Sequence, residues 1–131
     1  LTSDALRKGK NVLVDGSLRN ADWYKQYILS LHSKFPRLRF AIIHVTASES
    51  TIFERVVKRS KETGRNVPQE LLIDTMRQIP ISLRTLAPYV DYMATFSNEK
   101  DAPVPVLLWS SRRPSPSTSD LIYVLKGFQS I

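Results

Sequence analysis

The sequence of 131 residues contains no cysteine, only four glycines and only two histidines. The absence of cysteine excludes a disulfide framework, a thiol nucleophile and a cysteine-based zinc site. No GxxxxGK[ST], GxGxxG, GxSxG or HExxH motif occurs, so the sequence has no glycine-rich phosphate loop, nucleophile elbow or zinc-protease helix of these types. The longest apolar runs, such as Phe40–Ile43, are far too short to span a bilayer.

Charge is the first positive indication of function. Lysine and arginine number 19 against 12 aspartates and glutamates, which gives a formal net charge of +7. This excess favours anionic partners: nucleotides, phosphorylated metabolites, nucleic acid or a membrane surface. The chain begins with Leu1 and shows no signal-peptide pattern, so we expect a fragment of a longer protein in an intracellular, cytoplasmic location.

Helical and strand patterns alternate along the chain. Such alternation of helices with short apolar strands predicts an α/β fold with a doubly wound parallel sheet, incomplete at its N-terminus because the first strand has no earlier partner. Pro105 favours an edge position for the last strand. Helices are predicted at 4–10, 21–34, 50–63 and 69–86, and strands at 11–15, 39–45, 91–96 and 104–109.

The composition also predicts how the chain is divided. Residues 1–109 carry the alternating pattern and are expected to form the folded domain. Residues 110–120 are rich in serine and proline, which predicts a flexible segment. Residues 121–131 form a short apolar C-terminal segment.

The first candidate site follows the predicted strand at 11–15. Ligands of open α/β sheets bind at the carboxyl ends of strands, where Asp15, Gly16, Ser17 and Arg19 stand. Asp15 can hold Mg²⁺ or polarise a substrate, Ser17 can hydrogen-bond a substrate hydroxyl, and Arg19 can hold a phosphate. The same pattern is also typical of an ordinary turn in which Asp15 caps the loop, and both interpretations stay open.

The second candidate site is a basic cluster on the third predicted helix. Arg55 and Arg59 lie one turn apart, and Arg65 follows the end of the helix. Guanidinium groups placed in this way suit the clamping of phosphates during phosphoryl transfer. The alternative is a solvated basic face with no ligand. The cluster comprises Arg55, Lys58, Arg59, Lys61 and Arg65.

Three segments together resemble the C-terminal half of zeta-toxin-type P-loop kinases. They are VLVDGSLRNADWY, TIFERVVKRSKETGRNVPQELL and IPISLRTLAPYVD, and the resemblance runs from Leu6 to Lys100. It implies a three-layer P-loop kinase-like sheet flanked by helices, with ATP and Mg²⁺ as cofactors. In characterised members the activity is phosphorylation of an amino sugar carried on UDP, UDP-N-acetylglucosamine.

The resemblance also implies roles for individual residues. Asp15 matches the acid at the strand end, which is usually glutamate in the family, and Ser17 matches the substrate-contacting threonine. Arg19 follows in the same substrate motif. Arg55 and Arg65 match the two lid arginines that contact the ATP phosphates, which makes them the expected catalytic residues.

The sequence departs from the family pattern in ways that shape the expected function. The phosphate-binding loop with its lysine, and the catalytic aspartate of the family, do not occur in this sequence. We therefore expect a fragment of a kinase that is inactive alone and that acts, in the longer protein, on a nucleotide and a small-molecule phosphoacceptor. The alternative is a non-catalytic basic module that binds nucleotides or nucleic acid. Neither hypothesis involves a membrane.

Overall fold

The computed structural model describes residues 1–111 of the chain. The predicted segments at 110–120 and 121–131 lie outside the described residues, apart from Ser110 and Ser111. The elements within 1–111 are α1 (Thr2–Arg7), α2 (Ala21–Lys34), β1 (Ala41–Thr46), α3 (Glu49–Thr63), α4 (Gln69–Leu86), a 3₁₀ turn (Ala87–Tyr89), β2 (Tyr92–Ser97) and β3 (Val106–Ser110).

The three described strands form one sheet in the order β1–β2–β3. β1 and β2 run parallel, from Ala41 opposite Tyr92 to Thr46 opposite Ser97, and α3 and α4 lie between them in the chain. The fold is α/β, as predicted and as expected for part of a P-loop kinase-like fold. The sheet is mixed rather than wholly parallel, because β3 runs antiparallel to β2. Residues 98–105 join these strands without a helix, and a parallel pair needs a crossover of about a dozen residues or more.

The strand predicted at residues 11–15 does not form. Within residues 1–111 this run pairs with no strand, and Leu13 and Val14 are 88% and 52% exposed. An apolar β-branched run becomes a strand only where a neighbouring backbone completes its ladder of hydrogen bonds. Composition cannot supply that neighbour, so the prediction of a buried strand here is wrong.

The described residues form two compact units. The first unit contains Leu1–Leu38 and Ile73–Tyr89, and the second contains Arg39–Leu72 and the described residues from Val90 onward. Each unit has apolar side chains removed from water, which is the main source of stability for such small bodies. Those of the first are Ile28 and Leu31 of α2 and Leu86 of α4. Those of the second are Tyr92, Met93, Ala94 and Phe96 of β2, and Leu107 packs against Tyr92, Ala94 and Phe96.

Local signals explain where the helices begin and end. The side chain of Asn20 accepts a hydrogen bond from the backbone N–H of Trp23 at 3.0 Å, which caps α2. α2 ends at Lys34, immediately before Phe35 and Pro36. α4 continues through Pro80.

Among residues 1–111, none of the helices combines the length and the hydrophobicity that a membrane span requires.

Candidate functional site

The turn before α2 holds two predicted site residues in a constrained conformation. Leu18 has a φ of 56°, in the left-handed region that non-glycine residues rarely adopt. The backbone N–H of Arg19 donates to Oγ of Ser17 at 3.3 Å across this residue. Such a conformation costs about 1 kcal/mol or more, and it fixes the spacing of Ser17 and Arg19.

Gly16 allows an aromatic ring to approach this turn. A Cβ atom at Gly16 would lie 2.1 Å from the hydroxyl oxygen of Tyr24 and 3.2 Å from its Cζ atom. The first distance is far below van der Waals contact, so any side chain at this position would displace the ring. The glycine of the Asp-Gly-Ser sequence is therefore explained by packing against Tyr24.

Ser17 and Arg19 line an open cavity of about 750 Å³ in the first unit. One wall is the start of α2, with Asn20, Asp22, Trp23 and Tyr24, and the other is the face of α4. A concave surface with several polar side chains and one large aromatic ring suits a polar small molecule. The α4 residues at this cavity are Asp74, Gln78, Ile81 and Thr85.

Arg19 is held by a carboxylate that the sequence analysis missed. Its Nη2 atom donates to Oδ2 of Asp74 at 2.9 Å, and the two side chains are 43% and 47% exposed. An exposed pair of this kind contributes at most about 1 kcal/mol to stability, so a ligand can displace Asp74 from the guanidinium. Asp74 and Gln78 stand four residues apart on α4, so their side chains lie on the same face of the helix. This polar pair was the sequence feature that could have placed Asp74 at a binding surface.

Trp23 presents one ring to the cavity. It stacks on Tyr27, with centroids 5.1 Å apart and planes at 15°, and meets Tyr24 edge-on at 4.9 Å. Helix packing thus accounts for much of its surface, yet Trp23 remains 54% exposed. Its indole ring is available for contact with an apolar face of a ligand.

The predicted phosphate-binding arginines belong to the second unit. Arg55 and Arg59 are exposed on α3, and Arg65 is exposed just after it. Within residues 1–111 their guanidinium groups form no ion pair. By contrast, the neighbouring Lys58 lies 3.9 Å from Glu62. Among the described residues the three arginines, like Lys61, therefore have no carboxylate within ion-pair distance.

The end of α3 fixes the backbone from which Arg65 projects. Gly64 has a φ of 69°, the left-handed conformation that closes many helices, and its N–H donates to the carbonyl of Ser60 at 2.8 Å. The hydroxyl of Thr63 donates to the carbonyl of Arg59 at 2.7 Å and accepts from the N–H of Arg65 at 3.3 Å. Arg65 is thus tied to the last turn of the helix through its own backbone.

The start of α3 carries a polar cluster that the sequence analysis also missed. The carboxylate of Glu99 accepts hydrogen bonds from the backbone N–H of Ser48, from Oγ of Ser48 at 2.9 Å and from Oγ1 of Thr51 at 2.6 Å. The hydrogen bonds from Thr51 and Ser48 lower the pKa of Glu99, with a smaller contribution from the charge of Arg55. Nothing in the local sequence pairs residue 99 with a helix that starts fifty residues earlier, so only the fold could reveal it.

The remaining ionisable residues of interest are Asp15, the predicted metal ligand, and His44 of β1. Asp15 is exposed and is not among the residues that line the cavity. Within residues 1–111 no three histidine, aspartate or glutamate side chains lie close enough together to hold a metal ion. His44 of β1 lies 3.4 Å from Oγ1 of Thr95 through Nδ1, and burial lowers the pKa of its imidazole.

Five predicted residues thus fall into two groups: Ser17 and Arg19 at the cavity of the first unit, and three arginines on α3 or just after it in the second, while Asp15 belongs to neither. No curated protein and no solved structure matches the chain. The family model described as zeta toxin does match it, over residues 1–101, and this supports a P-loop kinase-like nucleotide-binding function in general. Since that match spans well over half of the sequence, the chain belongs to the zeta toxin family.

Proposed function

We propose that the chain is part of an ATP-dependent kinase that transfers the γ-phosphate of ATP to a hydroxyl group of a small molecule. One observation carries the proposal: Arg55, Arg59 and Arg65 are exposed on one helix and its exit and form no ion pair with residues 1–111. Guanidinium groups without a carboxylate partner can bind phosphate oxygens. Membership of the zeta toxin family supports ATP as the source of those phosphates.

The arginines have distinct proposed roles. Arg55 and Arg65 stabilise the negative charge that spreads over the transferring oxygens, and Arg59 binds the phosphates of the bound nucleotide. Such contacts accelerate phosphoryl transfer because they neutralise charge without a covalent step. The backbone of Arg65 is already tied to Thr63, so only its side chain has to be ordered when it binds a phosphate.

The acceptor binds in the cavity of the first unit. The hydroxyl oxygen of Ser17 already accepts from the N–H of Arg19, so its hydrogen is left to donate to an acceptor oxygen. The acceptor competes with Asp74 for the guanidinium of Arg19, at a cost of about 1 kcal/mol or less. UDP-N-acetylglucosamine is the first acceptor to test, because the family resemblance implies a sugar carried on UDP.

Asp15 is the proposed protein ligand for Mg²⁺. Its carboxylate is exposed, and a single carboxylate is sufficient where nucleotide phosphates and water supply the other oxygens, as is usual for Mg²⁺. When bound, the ion would neutralise phosphate charge. The location proposed for this reaction is the cytoplasm, where ATP is supplied.

The test is a comparison of the full-length protein with the 131-residue chain. We expect Mg-ATP binding and acceptor phosphorylation by the full-length protein, and little or no turnover by the chain, which contains no glycine-rich phosphate loop. In the full-length protein Arg65→Ala should lower kcat on the order of 10³-fold. Lys8→Ala removes an equal charge at an exposed position outside the cluster and should leave kcat near wild type. An unchanged kcat for Arg65→Ala would assign Arg65 to a solvated loop.

The same arginines support a second candidate, a non-catalytic module that binds nucleic acid. Dependence on salt separates the two functions. Binding to nucleic acid through several phosphates should weaken by orders of magnitude between about 50 and 200 mM salt, whereas a nucleotide pocket should lose much less. Steep salt dependence without any Mg-ATP binding would favour the second candidate.

A further inference from the structure

The first turn of α3 is closed by a residue from a distant part of the chain. Ser48 is the N-cap of the helix, and Thr51 occupies the third helical position. In a capping box that position holds glutamate or glutamine, whose side chain reaches back to the N-cap N–H. Here Glu99, two residues after β2, accepts that hydrogen bond instead, together with those from the two hydroxyl groups. The capping interaction is thus shared between the start of α3 and the residues that follow β2.

Lys100, the residue after Glu99, makes a second contact with α3, about one turn further along the helix. Nζ of Lys100 lies 3.0 Å and 2.9 Å from the two carboxylate oxygens of Glu54 on α3. The preceding residue, Asn98, donates its N–H to the carbonyl of Thr46 at the end of β1 at 2.7 Å. Residues 98–100 therefore join the ends of both parallel strands to the first two turns of α3.

Arg55 lies beside these contacts. It follows Glu54 in the chain and stands one turn beyond Thr51, whose side chain is only 3% exposed. Its charge is close enough to Glu99 to be felt by that carboxylate. Within residues 1–111, the hydrogen bonds of residues 98–100 to α3 reach only its first two turns, and none joins them to the side chains of Arg59 or Arg65.

We propose that Glu99, assisted by Lys100, is a positioning residue that fixes the first two turns of α3 and so holds Arg55 in place to bind phosphate. The inference rests on the proposed function, because it needs Arg55 to contact the nucleotide. Small displacements of a positioned group have large effects, since a shift of about 1 Å can cost roughly 100-fold in rate. When the start of the helix is held, only the side chain of Arg55 has to be ordered as it binds its ligand.

The test uses the full-length protein and the isosteric variant Glu99→Gln. Glu62→Gln is the matched control, since Glu62 is an exposed glutamate of the same helix with only a 3.9 Å contact to Lys58. We expect Glu99→Gln to raise amide hydrogen exchange in the first turn of α3 about fivefold, as loss of a cap does. It should weaken Mg-ATP binding about three- to tenfold, measured by calorimetry. The control should change neither quantity.

A double-mutant cycle separates positioning from a general loss of structure. If Glu99 acts through Arg55, Glu99→Gln should have no further effect on the Kd for Mg-ATP in an Arg55→Ala background. An equal weakening in both backgrounds would overturn the proposal and leave Glu99 as a structural cap only. If Glu99→Gln does not fold, Thr51→Val takes its place, because it removes a single donor to the same carboxylate.

The two proposals fail in different ways. If the wild-type protein does not bind Mg-ATP, the proposed function is refuted and the role of Arg55 with it, even where exchange shows that Glu99 stabilises α3. If wild type binds Mg-ATP but Glu99→Gln leaves exchange or affinity unchanged, only the positioning role is refuted.

Discussion

Replacement of Gly64 by alanine tests how the end of α3 is built. Gly64 has a φ of 69°, and a Cβ atom placed there would meet no heavy atom within 4 Å. The substitution therefore adds no steric contact. Its effect is confined to the cost of holding a residue with a Cβ atom in the left-handed conformation.

The magnitude follows from two opposing contributions. Left-handed backbone costs a non-glycine residue about 1–2 kcal/mol. Alanine also restricts the unfolded chain, which returns about 0.4–1 kcal/mol. We expect Gly64→Ala to lower the free energy of unfolding by about 1 kcal/mol. Gly64→Asn should lose less than half of that, because asparagine tolerates this conformation.

Urea denaturation followed by circular dichroism measures this difference. The midpoint should fall while the slope with denaturant stays constant, since the exposed surface is unchanged. Lys61→Ala, an exposed change in the same helix, should stay within about 0.5 kcal/mol of wild type. A Gly64→Ala variant as stable as wild type, or an asparagine variant less stable than the alanine one, would show that the left-handed backbone at residue 64 does not set the cost.

Three further predictions concern the cavity and the sheet. Gly16→Ala should destabilise the protein by about 1 kcal/mol in urea denaturation, the lower end for an overpacked site because Gly16 is exposed, since it displaces the ring of Tyr24; Tyr24→Phe in the same chain should restore part of the loss. Asp74→Asn should cost less than about 1 kcal/mol in the same assay, because its ion pair with Arg19 is nearly half exposed. Burial lowers the pKa of His44 below 6.5, so stability should fall as the pH drops through and below that value, and His44→Gln should remove this fall in a series of urea titrations.

Each of these three has an outcome that contradicts it. A Tyr24→Phe change that fails to improve Gly16→Ala would show that the ring is not the obstacle. Asp22→Asn is the control for Asp74→Asn, since Asp22 also lines the cavity but forms no ion pair within residues 1–111. A loss above about 2 kcal/mol for Asp74→Asn would show a stronger pair than its exposure allows. Stability of His44→Gln that still falls between pH 6.5 and about 5.5, above the range in which Glu99 takes up a proton, would assign the dependence to other groups.

The periodic patterns predicted α2, α3 and α4 closely, because helix formation is decided mainly by nearby residues, whereas α1, predicted at 4–10, is observed at Thr2–Arg7. α4 was predicted at 69–86 and is observed at Gln69–Leu86, and the end of α3 at Gly64 was also predicted. Apolar spacing, a capping side chain and a glycine suffice for such elements. The strand at 11–15 was predicted from equally clear composition and is not observed, because a strand depends on a distant partner.

The same distinction applies to the candidate site. Ser17, Arg19 and the arginines of α3 were identified because they stand close together in the sequence or one turn apart. Asp74, which pairs with Arg19, stands 55 residues away, and Glu99 is separated from Thr51 by 48. Contacts of this kind arise when the chain brings remote segments together, and a single sequence carries no signal for the pairing itself.

The divided cap of α3 has a consequence for the order of folding. Glu99 emerges from the ribosome after both Ser48 and Thr51, so α3 is made before the carboxylate that closes its first turn. Until then the helix has only its own side chains to satisfy the N–H groups of that turn, and short helices are marginal in water under those conditions. Closure of the loop that contains α3, α4 and β2 must come first, and long-range closure of this kind slows folding. We expect the start of α3 to become ordered late, together with the end of β2.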